Sequence, residues 1–528
     1  MQLKMNVNVN TVDRVNSIQA LKSFPYFLLR TKKFKNQSDY REELIEIQNY
    51  YNVYNKGASF NIEGTLGDYV PSQIRYKRIK RLIDKEARFL FSNTPEVDVL
   101  PLNSTGEQEE NKQFDNHEKV INKVFEKSSF SKYLIQSAKD CFIGKRIAIL
   151  VDVSEQDGIL LHFYNSLQFY YENDYGDNTI TRFIGFECIN KSKSQNNRKY
   201  IVKTYILRQN KVHVQVELYD GIGNVIEEII PETVTNLTSI PVEIITNDGT
   251  LDDKLGVSEV ESLVDYESGY SRLGNADIDS ERKGMNPIRY LVDMNSQTTK
   301  NLSSSAGSLW ELKSEQNQDN VSPMIGVLAP AMNHTTAVTS TMDRLDNMMY
   351  DELDIPNIDE QTMSGVITSG KALKALYWPL QVRCEEKLKT WIPGLKNVVS
   401  RIIELAIQNP SIVQKMYSVE PLEDLPYTLN IEVDYALPDD EAEEMTNDLS
   451  CVNSNAMSRM SFFKKWRKND LPTETDRQNE LMQIAYENNL INMGGMGSIG
   501  DSTLVGNRVD EQMVEDETQN IIDNNNTE

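Results

Sequence analysis

Gly365-Val-Ile-Thr-Ser-Gly370-Lys371-Ala372 comes within one residue of a phosphate-cradling loop. Such a loop wraps phosphates in backbone N–H groups, places a Lys on the terminal phosphates and supplies a Ser or Thr hydroxyl to Mg²⁺. Ala372 has no hydroxyl, and the segment before the loop, Asp351 to Glu360, is too acidic and too broken by Pro356 for a buried parallel strand. The alternative is a mobile loop from Asp354 to Thr368, leading to a long helix that begins at Gly370 and is capped by Ser369. Gly495-Met-Gly497-Ser-Ile-Gly500 matches a dinucleotide fingerprint by letter, but no strand precedes it and no βαβ unit follows, so it reads as a linker. Ile147 to Asp152 resembles an apolar strand ending in a Mg²⁺-binding carboxylate. It stands far upstream of Lys371, the reverse of the usual order, and reads as a half-buried strand.

The remaining reactive side chains are scattered. Cys141, Cys188, Cys384 and Cys451 form no Cys-x-x-Cys pair, which points to reduced thiols in a cytoplasmic setting. His117, His162, His213 and His334 have no partner at metal-ligand spacing. No Ser/His/Asp, Cys/His or paired-carboxylate constellation stands out. Hence no catalytic residue, no metal and no cofactor are expected, and the chain does not read as an enzyme.

Charge narrows the partners. Against 55 Lys and Arg stand 79 Asp and Glu, a net of -24, so the surface is not built to grip nucleic acid by counterion release. Basic clusters at Arg30–Lys33, Arg75–Arg88 and Lys464–Lys468, the last enclosing Trp466, could touch nucleic acid or form salt bridges between subunits. The longest apolar runs, Ile147–Val151 and Gly158–Leu161, are strand-sized, so neither a signal peptide nor a membrane span is expected.

The elements that must position these residues follow from periodicity. Helical spacing runs over Asp39–Tyr54 and Arg75–Phe91. A period of two then takes over at Ile147–Val153, Ile159–Phe163, Gln168–Tyr171, Thr181–Ile189, Tyr200–Leu207 and Lys211–Tyr219, an antiparallel β region. Two narrow apolar stripes follow, Val257–Leu273 and Val338–Leu353, around an insert of about Gly284 to Asn333 with strands Ile288–Val292 and Ile325–Leu328 and the short run Leu309–Leu312. Such a hairpin leaves its seams wet unless copies of itself or another chain cover them. A helix from Gly370 to about Gln408, kinked or broken at Pro379 and Pro393, precedes a strand Tyr427–Leu437. Helices then follow from Pro438, at Arg459–Lys468 with Ser458 as cap, and at Thr473–Tyr486. The acidic residues 488–528 read as disordered. The fold class is α+β.

This order of parts resembles the portal proteins, or head-to-tail connectors, of tailed double-stranded DNA phages, of the type found in siphophages of Gram-positive hosts. Ile79-Lys-Arg-Leu-Ile-Asp84 and Phe89-Leu-Phe-Ser-Asn-Thr-Pro95 are similar to the family's early helix and its exit. Ile240-Pro241-Val242, with Gly256 to Tyr266, is similar to its entry into the stem helix. Ser369-Gly-Lys-Ala-Leu-Lys374, Leu437-Pro438-Asp439-Asp440 and Met457-Ser458-Arg459 match later positions. The resemblance implies a dodecameric ring with a wing at 1–253, stem helices at 254–283 and 334–354, a clip at 284–333 and a tunnel loop at 355–368. A long helix and return strand would occupy 369–437, and a crown 438–487. It also implies that Asp354, Asp359, Glu360 and Gly365 belong to a channel-facing loop, that Trp310 and Lys313 lie in a partner-docking clip, and that Val264, Leu273, Met342 and Leu345 line subunit contacts. The implied location is one capsid vertex of the virion, reached from the host cytoplasm during assembly, with no membrane. The implied partners are the large terminase ATPase, a head-completion or adaptor protein, major capsid and scaffolding proteins, and double-stranded DNA passing without sequence preference. A nucleotide-hydrolysing enzyme and another oligomeric virion protein stand as alternatives.

Overall fold

The computed structural model describes residues 37–61, 70–102, 114–174, 179–189, 198–220, 224–247, 249, 255–285, 288–292, 324–328, 335–358, 370–435, 441–467 and 477–486. They fall into two compact units, Met1–Thr368 with Ala372–Leu437, and Ser369–Lys371 with Pro438–Glu528. In the first unit the order is α1 (Gln37–Lys56), α2 (Arg78–Leu90), β1 (Glu96–Pro101), α3 (Asp115–Lys127) and α4 (Phe130–Gly144). Next come β2 (Arg146–Ser154), β3 (Gly158–Asn165), β4 (Phe169–Asn173), β5 (Ile180–Cys188), β6 (Lys199–Arg208), β7 (Lys211–Asp220), β8 (Val225–Val234) and β9 (Val242–Thr246). The unit continues with α5 (Glu259–Met285), β10 (Ile288–Val292), β11 (Met324–Leu328), α6 (Thr335–Glu352), α7 (Gly370–Gln408, within this unit from Ala372 on), α8 (Pro410–Tyr417) and β12 (Tyr427–Glu432). The class is α+β, as expected.

Every strand pair is antiparallel. A three-stranded sheet runs β3-β2-β9, a five-stranded one β4-β5-β6-β7-β8, and β1-β12 and β10-β11 are two-stranded. The apolar run of β2 sits between β3 and β9, and Ile147 to Val151 are all buried. One large core joins α2, α4, β2, the start of α5 and α7, with Trp391 at 1% exposure among its largest members. A smaller cluster around Leu44, Tyr170, Ile184 and Val202 packs against the five-stranded sheet.

The sequence reading assigned no element to β1, α3, α4, β9 or α8, and further details depart from it. Strand β8 was not anticipated, because Glu227, Glu228, Pro231 and Glu232 interrupt its aliphatic residues and every position is exposed. Strand β12 ends at Glu432 rather than Leu437, since its partner β1 is only six residues long and Glu96 pairs with Glu432. Helix α7 runs as one element across Pro379 and Pro393. A proline interrupts the helical hydrogen bonding, but Leu380, Cys384, Leu388, Trp391 and Leu395 are all buried, so packing holds both sides of each interruption. Helix α2 starts at Arg78 rather than Arg75, because the residues before it are drawn out along α5, as described below.

In the second unit, α9 (Glu441–Asn453) and α10 (Arg459–Trp466) pack together, and residues 477–486 are helical. Ser458 caps α10 by accepting the Ser461 N–H, as its type and position imply. Within the basic cluster, Lys465 and the Trp466 indole N–H both reach Asp448, at 2.7 and 2.8 Å, and Arg467 lies 3.1 Å from Glu480. These cluster residues are therefore engaged inside their own unit.

Candidate functional site at the root of the helical hairpin

Helices α5 and α6 pack against each other. Their approach is close at Gly274, where a methyl group would fall 2.9 Å from the Tyr76 hydroxyl and 3.1 Å from the Met342 methyl. Val260, Leu263, Tyr270, Met349, Tyr350 and Leu353 are buried, while Val264, Leu273, Met342 and Leu345 are half-buried, the last two packed against the main core. The seams are thus covered in large part from within the chain, contrary to the expectation that the hairpin alone would leave them wet.

The cover is a strap. Residues 70–77 run extended beside α5, and four α5 side chains spaced one helical turn apart receive or bracket their backbone. The Asp279 carboxylate accepts the Ser72 N–H at 3.0 Å; Asn275 Oδ1 accepts the Ile74 N–H at 2.8 Å while its amide donates to the Ile74 carbonyl at 2.7 Å. Ser271 Oγ accepts the Tyr76 N–H at 3.3 Å. Glu267 takes two donors, the Ala58 N–H at 2.8 Å and the Ile79 N–H at 2.7 Å. Glu267 and Ser271 are fully buried, so each bond replaces one that water cannot supply. Arg78, at the first turn of α2, adds a bond to the Tyr270 hydroxyl at 2.8 Å and lies 3.4 Å from Asp346 on α6.

Above the strap, the hairpin is rooted in a buried charged joint drawn from five places in the chain. Arg383 on α7 donates from Nε to Glu86 of α2 at 2.9 Å and from Nη2 to Glu259, in the first turn of α5. Lys387, one turn further, donates to Glu259 and, at 2.9 Å, to the Asn247 side-chain carbonyl, and its ammonium lies 4.2 Å from the centre of the Phe142 ring. Asn247 in turn donates to the Val257 carbonyl and to Glu259. The tight path into α5 depends on Gly256 at φ +84°, where a methyl would meet the Lys145 carbonyl oxygen at 2.3 Å.

Asp354 closes the same joint from the far end of α6. Its N–H bonds the Asp351 carbonyl and the Ile355 N–H bonds the Tyr350 carbonyl, a left-handed helix stop with Asp354 at φ 52°. Arg383 reaches this stop through the Glu352 carbonyl at 3.4 Å and the Asp354 carboxylate at 3.9 Å. Both ends of the hairpin root therefore converge on one guanidinium, whose planar fork can serve several acceptors at once.

Burial works to raise the Glu259 carboxyl, but Lys387 and Arg383 outweigh it and hold it down at about 2. Glu86 is pushed up by burial against the pull of Lys387, and its Oε2 is buried without a hydrogen-bond partner. The two carboxylates thus act oppositely with pH. Glu259, lowered from 4.5, contributes stability that is complete above that value and is lost as pH falls toward 2. Glu86, raised, favours the folded state at low pH and loses that contribution as pH rises. Urea unfolding between pH 5.5 and 3 should show falling stability in the wild type and a shallower fall in Glu259→Gln; equal slopes would exclude this assignment.

The sequence reading took Asp354 as the first residue of a channel-facing loop; the structure puts it two residues past the end of α6, with its carboxylate 3.9 Å from Arg383. Asp359, Glu360 and Gly365 lie outside the described residues, as do Trp310, Lys313 and Leu309–Leu312. Gly370, Lys371 and Ala372 open helix α7, and the described element before them is helix α6, not a strand. Asp152 lies 2.6 Å from Lys203, a half-buried ion pair between β2 of the three-stranded sheet and β6 of the five-stranded one. Among the described residues no His, Cys, Asp and Glu group could hold a metal ion, and no helix is long and apolar enough to cross a membrane. The residues that reasoning missed are Glu86, Glu259, Glu267, Asn275, Arg383 and Lys387. The four-residue spacing of Glu267, Ser271, Asn275 and Asp279 was a readable signal, whereas the joint, assembled from remote segments, left none.

Residues 31–491 match the sequence profile of phage portal proteins of the SPP1 Gp6-like type. Two solved structures are similar at low identity. The neck of an empty gene transfer agent particle, computed with C6 symmetry, is 7% identical with a TM-score of 0.34, and 73% of this chain and 87% of that chain are covered. The virion of a native gene transfer agent particle is 8% identical, again with a TM-score of 0.34 and the same two coverages, 73% and 87%. None of the curated proteins compared matches the chain significantly.

Proposed function

Because the chain belongs to the SPP1 Gp6-like family of phage portal proteins, we propose that it forms a ring at one capsid vertex, the channel for DNA packaging and ejection. The observation that carries this reading is the family match over nearly the whole chain. The helical hairpin rooted in a buried charged joint supports it, since a ring needs a stiff element to line its hole. In this reading residues 1–253 form the wing, 254–283 and 334–354 the stem, 284–333 the clip, 355–368 the tunnel loop, 369–437 the long helix and return strand of the wing, and 438–487 the crown. Twelve copies close the ring. Val264, Leu273, Met342 and Leu345, half-buried within one chain, complete their burial against the neighbour.

The clip, with Trp310 and Lys313, is the docking surface for the large terminase and for a head-completion protein, while capsid and scaffolding proteins meet the ring at the vertex. Asp359 and Glu360 repel the phosphate backbone of passing DNA, so the duplex slides without sticking. Assembly takes place in the host cytoplasm. Ala372 cannot hold Mg²⁺, so the energy for packaging comes from the terminase rather than from this chain.

Negative-stain images of the purified full-length protein test the reading: rings with a central hole are expected, and a monomer at high concentration would remove it. Turnover of ATP should be absent, and hydrolysis that disappears in Lys371→Ala would restore the nucleotide-enzyme alternative.

A further inference from the structure

We propose that Glu86 and Asp354 compete for Arg383, so that the proton on Glu86 sets how firmly the end of helix α6 is held. The coupling rests on the charged joint alone, and its use at the root of a stem hairpin rests on the ring reading. The carboxylates of Glu86, Glu259 and Asp354 share the cations of Arg383 and Lys387. Fully ionised, this set carries one uncompensated negative charge in a place that little water reaches. One carboxylate must therefore stay neutral or turn outward.

Burial decides which groups can yield. Glu259 is paired with both cations and takes the Asn247 amide as well, so it stays in place. Glu86 is fully buried; its Oε1 has Arg383 Nε at 2.9 Å and the Lys387 ammonium at 3.5 Å, but its Oε2 has no partner. Facing it besides these are the Glu259 carboxylate of α5 and the Cys384 thiol of α7, which burial pushes up. Burial raises the Glu86 carboxyl most, Lys387 pulls it down, and the Glu259 charge pushes it up again. A neutral Glu86 is thus within reach of a proton. Asp354 yields by the other route, because its side chain is 49% exposed and its carboxylate returns to water at little cost.

Arg383 divides its guanidinium between the two sides. Nε and Nη2 point inward to Glu86 and Glu259, while Nη1 points to the end of α6, 3.4 Å from the Glu352 carbonyl and 3.9 Å from the Asp354 carboxylate. The last distance is beyond a hydrogen bond. This is the arrangement of an ionised Glu86, in which the buried carboxylates hold the arginine and the end of α6 is gripped loosely. With a proton on Glu86 its oxygens become weaker acceptors, and Asp354 is the free anion that draws Nη1 toward itself. Leu353 and Ile355 are buried on either side, and the Ile355 N–H keeps its bond to the Tyr350 carbonyl, so the backbone of the stop stays and its grip changes. By reciprocity, a force that pulls Asp354 away from Arg383 makes Glu86 release its proton more readily.

The test is a double-mutant cycle in the full-length chain, with Glu86→Gln, Asp354→Asn and the two combined, read by urea unfolding at pH 5.5 and pH 8.5. Gln keeps the shape of Glu86 without its charge, and Asn tolerates the left-handed backbone at position 354, so the variants keep the fold. At pH 8.5 the rise in the unfolding constant caused by Asp354→Asn should be about threefold or more larger in the Glu86→Gln background than in the wild-type one. At pH 5.5 the two rises should converge, because Glu86 is then neutral in both backgrounds. Exchange of the Asp354 and Ile355 amides, corrected for the intrinsic rate, should slow between pH 8.5 and 5.5 in the wild type and show no such change in Glu86→Gln. An additive cycle at pH 8.5 overturns the competition, and a coupling of equal size at both pH values overturns the role of the proton. Negative-stain images keep this apart from the ring reading: rings with an additive cycle remove the competition alone, and coupled residues in chains that never form rings remove the ring reading alone.

Discussion

Glu259→Ala is expected to lower the unfolding free energy of the first unit by about 3–5 kcal/mol, because it leaves buried Lys387 and half-buried Arg383 with too little negative charge. Lys387 is almost wholly buried, so neither solvent nor a rotamer change can compensate it. The comparison variant is Glu86→Gln. Glu86 has one oxygen without a partner and is already pushed toward its neutral form by burial, so an amide there should cost no more than about 1–2 kcal/mol. Urea midpoints at an unchanged m-value give both numbers. Similar costs for the two variants would mean that the joint does not distinguish its carboxylates as described.

The second large effect lies in the strap. Glu267→Ala removes the acceptor of both the Ala58 and Ile79 N–H groups, which are buried. Each unpaired donor costs about 1–3 kcal/mol, so a loss of about 2–6 kcal/mol is expected. Hydrogen exchange localises it: the Ala58 and Ile79 amides and those of Ile74 and Tyr76 should lose protection, while amides in the middle of α7 keep theirs. Uniform loss across the unit would indicate global destabilisation without a strap. Burial raises Glu267 against the lowering effect of these same N–H bonds, so Glu267→Gln, which keeps one acceptor but turns a donor toward the second N–H, should fall between alanine and wild type.

Much of the secondary structure was legible from local chemistry. Helix α7 begins at Gly370 and ends at Gln408 as its periodicity implies, and Ser458 caps α10 because a hydroxyl there has an orphan N–H to accept. The strands from β2 to β7 followed from alternation and turn residues, although β2, expected half-buried, is buried from Arg146 to Val151 because it lies between β3 and β9. Residues 354–358, which follow the helix stop, were foreseen as irregular because Pro356 cannot continue a helix.

The sequence by itself also determined that the near-complete phosphate loop lacks a Mg²⁺ ligand, since a missing hydroxyl is a fact of residue type at position 372. Only the tertiary structure decided what the polar residues of α5 do. On a lone helix Glu267, Ser271, Asn275 and Asp279 form a solvated stripe, and their spacing says only that they share a face. They became structural because an extended segment some two hundred residues earlier lies across them and needs its N–H groups paired. The charged joint is the same case at greater distance: Glu86, Asn247, Glu259, Arg383 and Lys387 are unremarkable singly in an acidic chain. Their meaning arises where burial removes water, so that each charge must find its partner in another part of the fold.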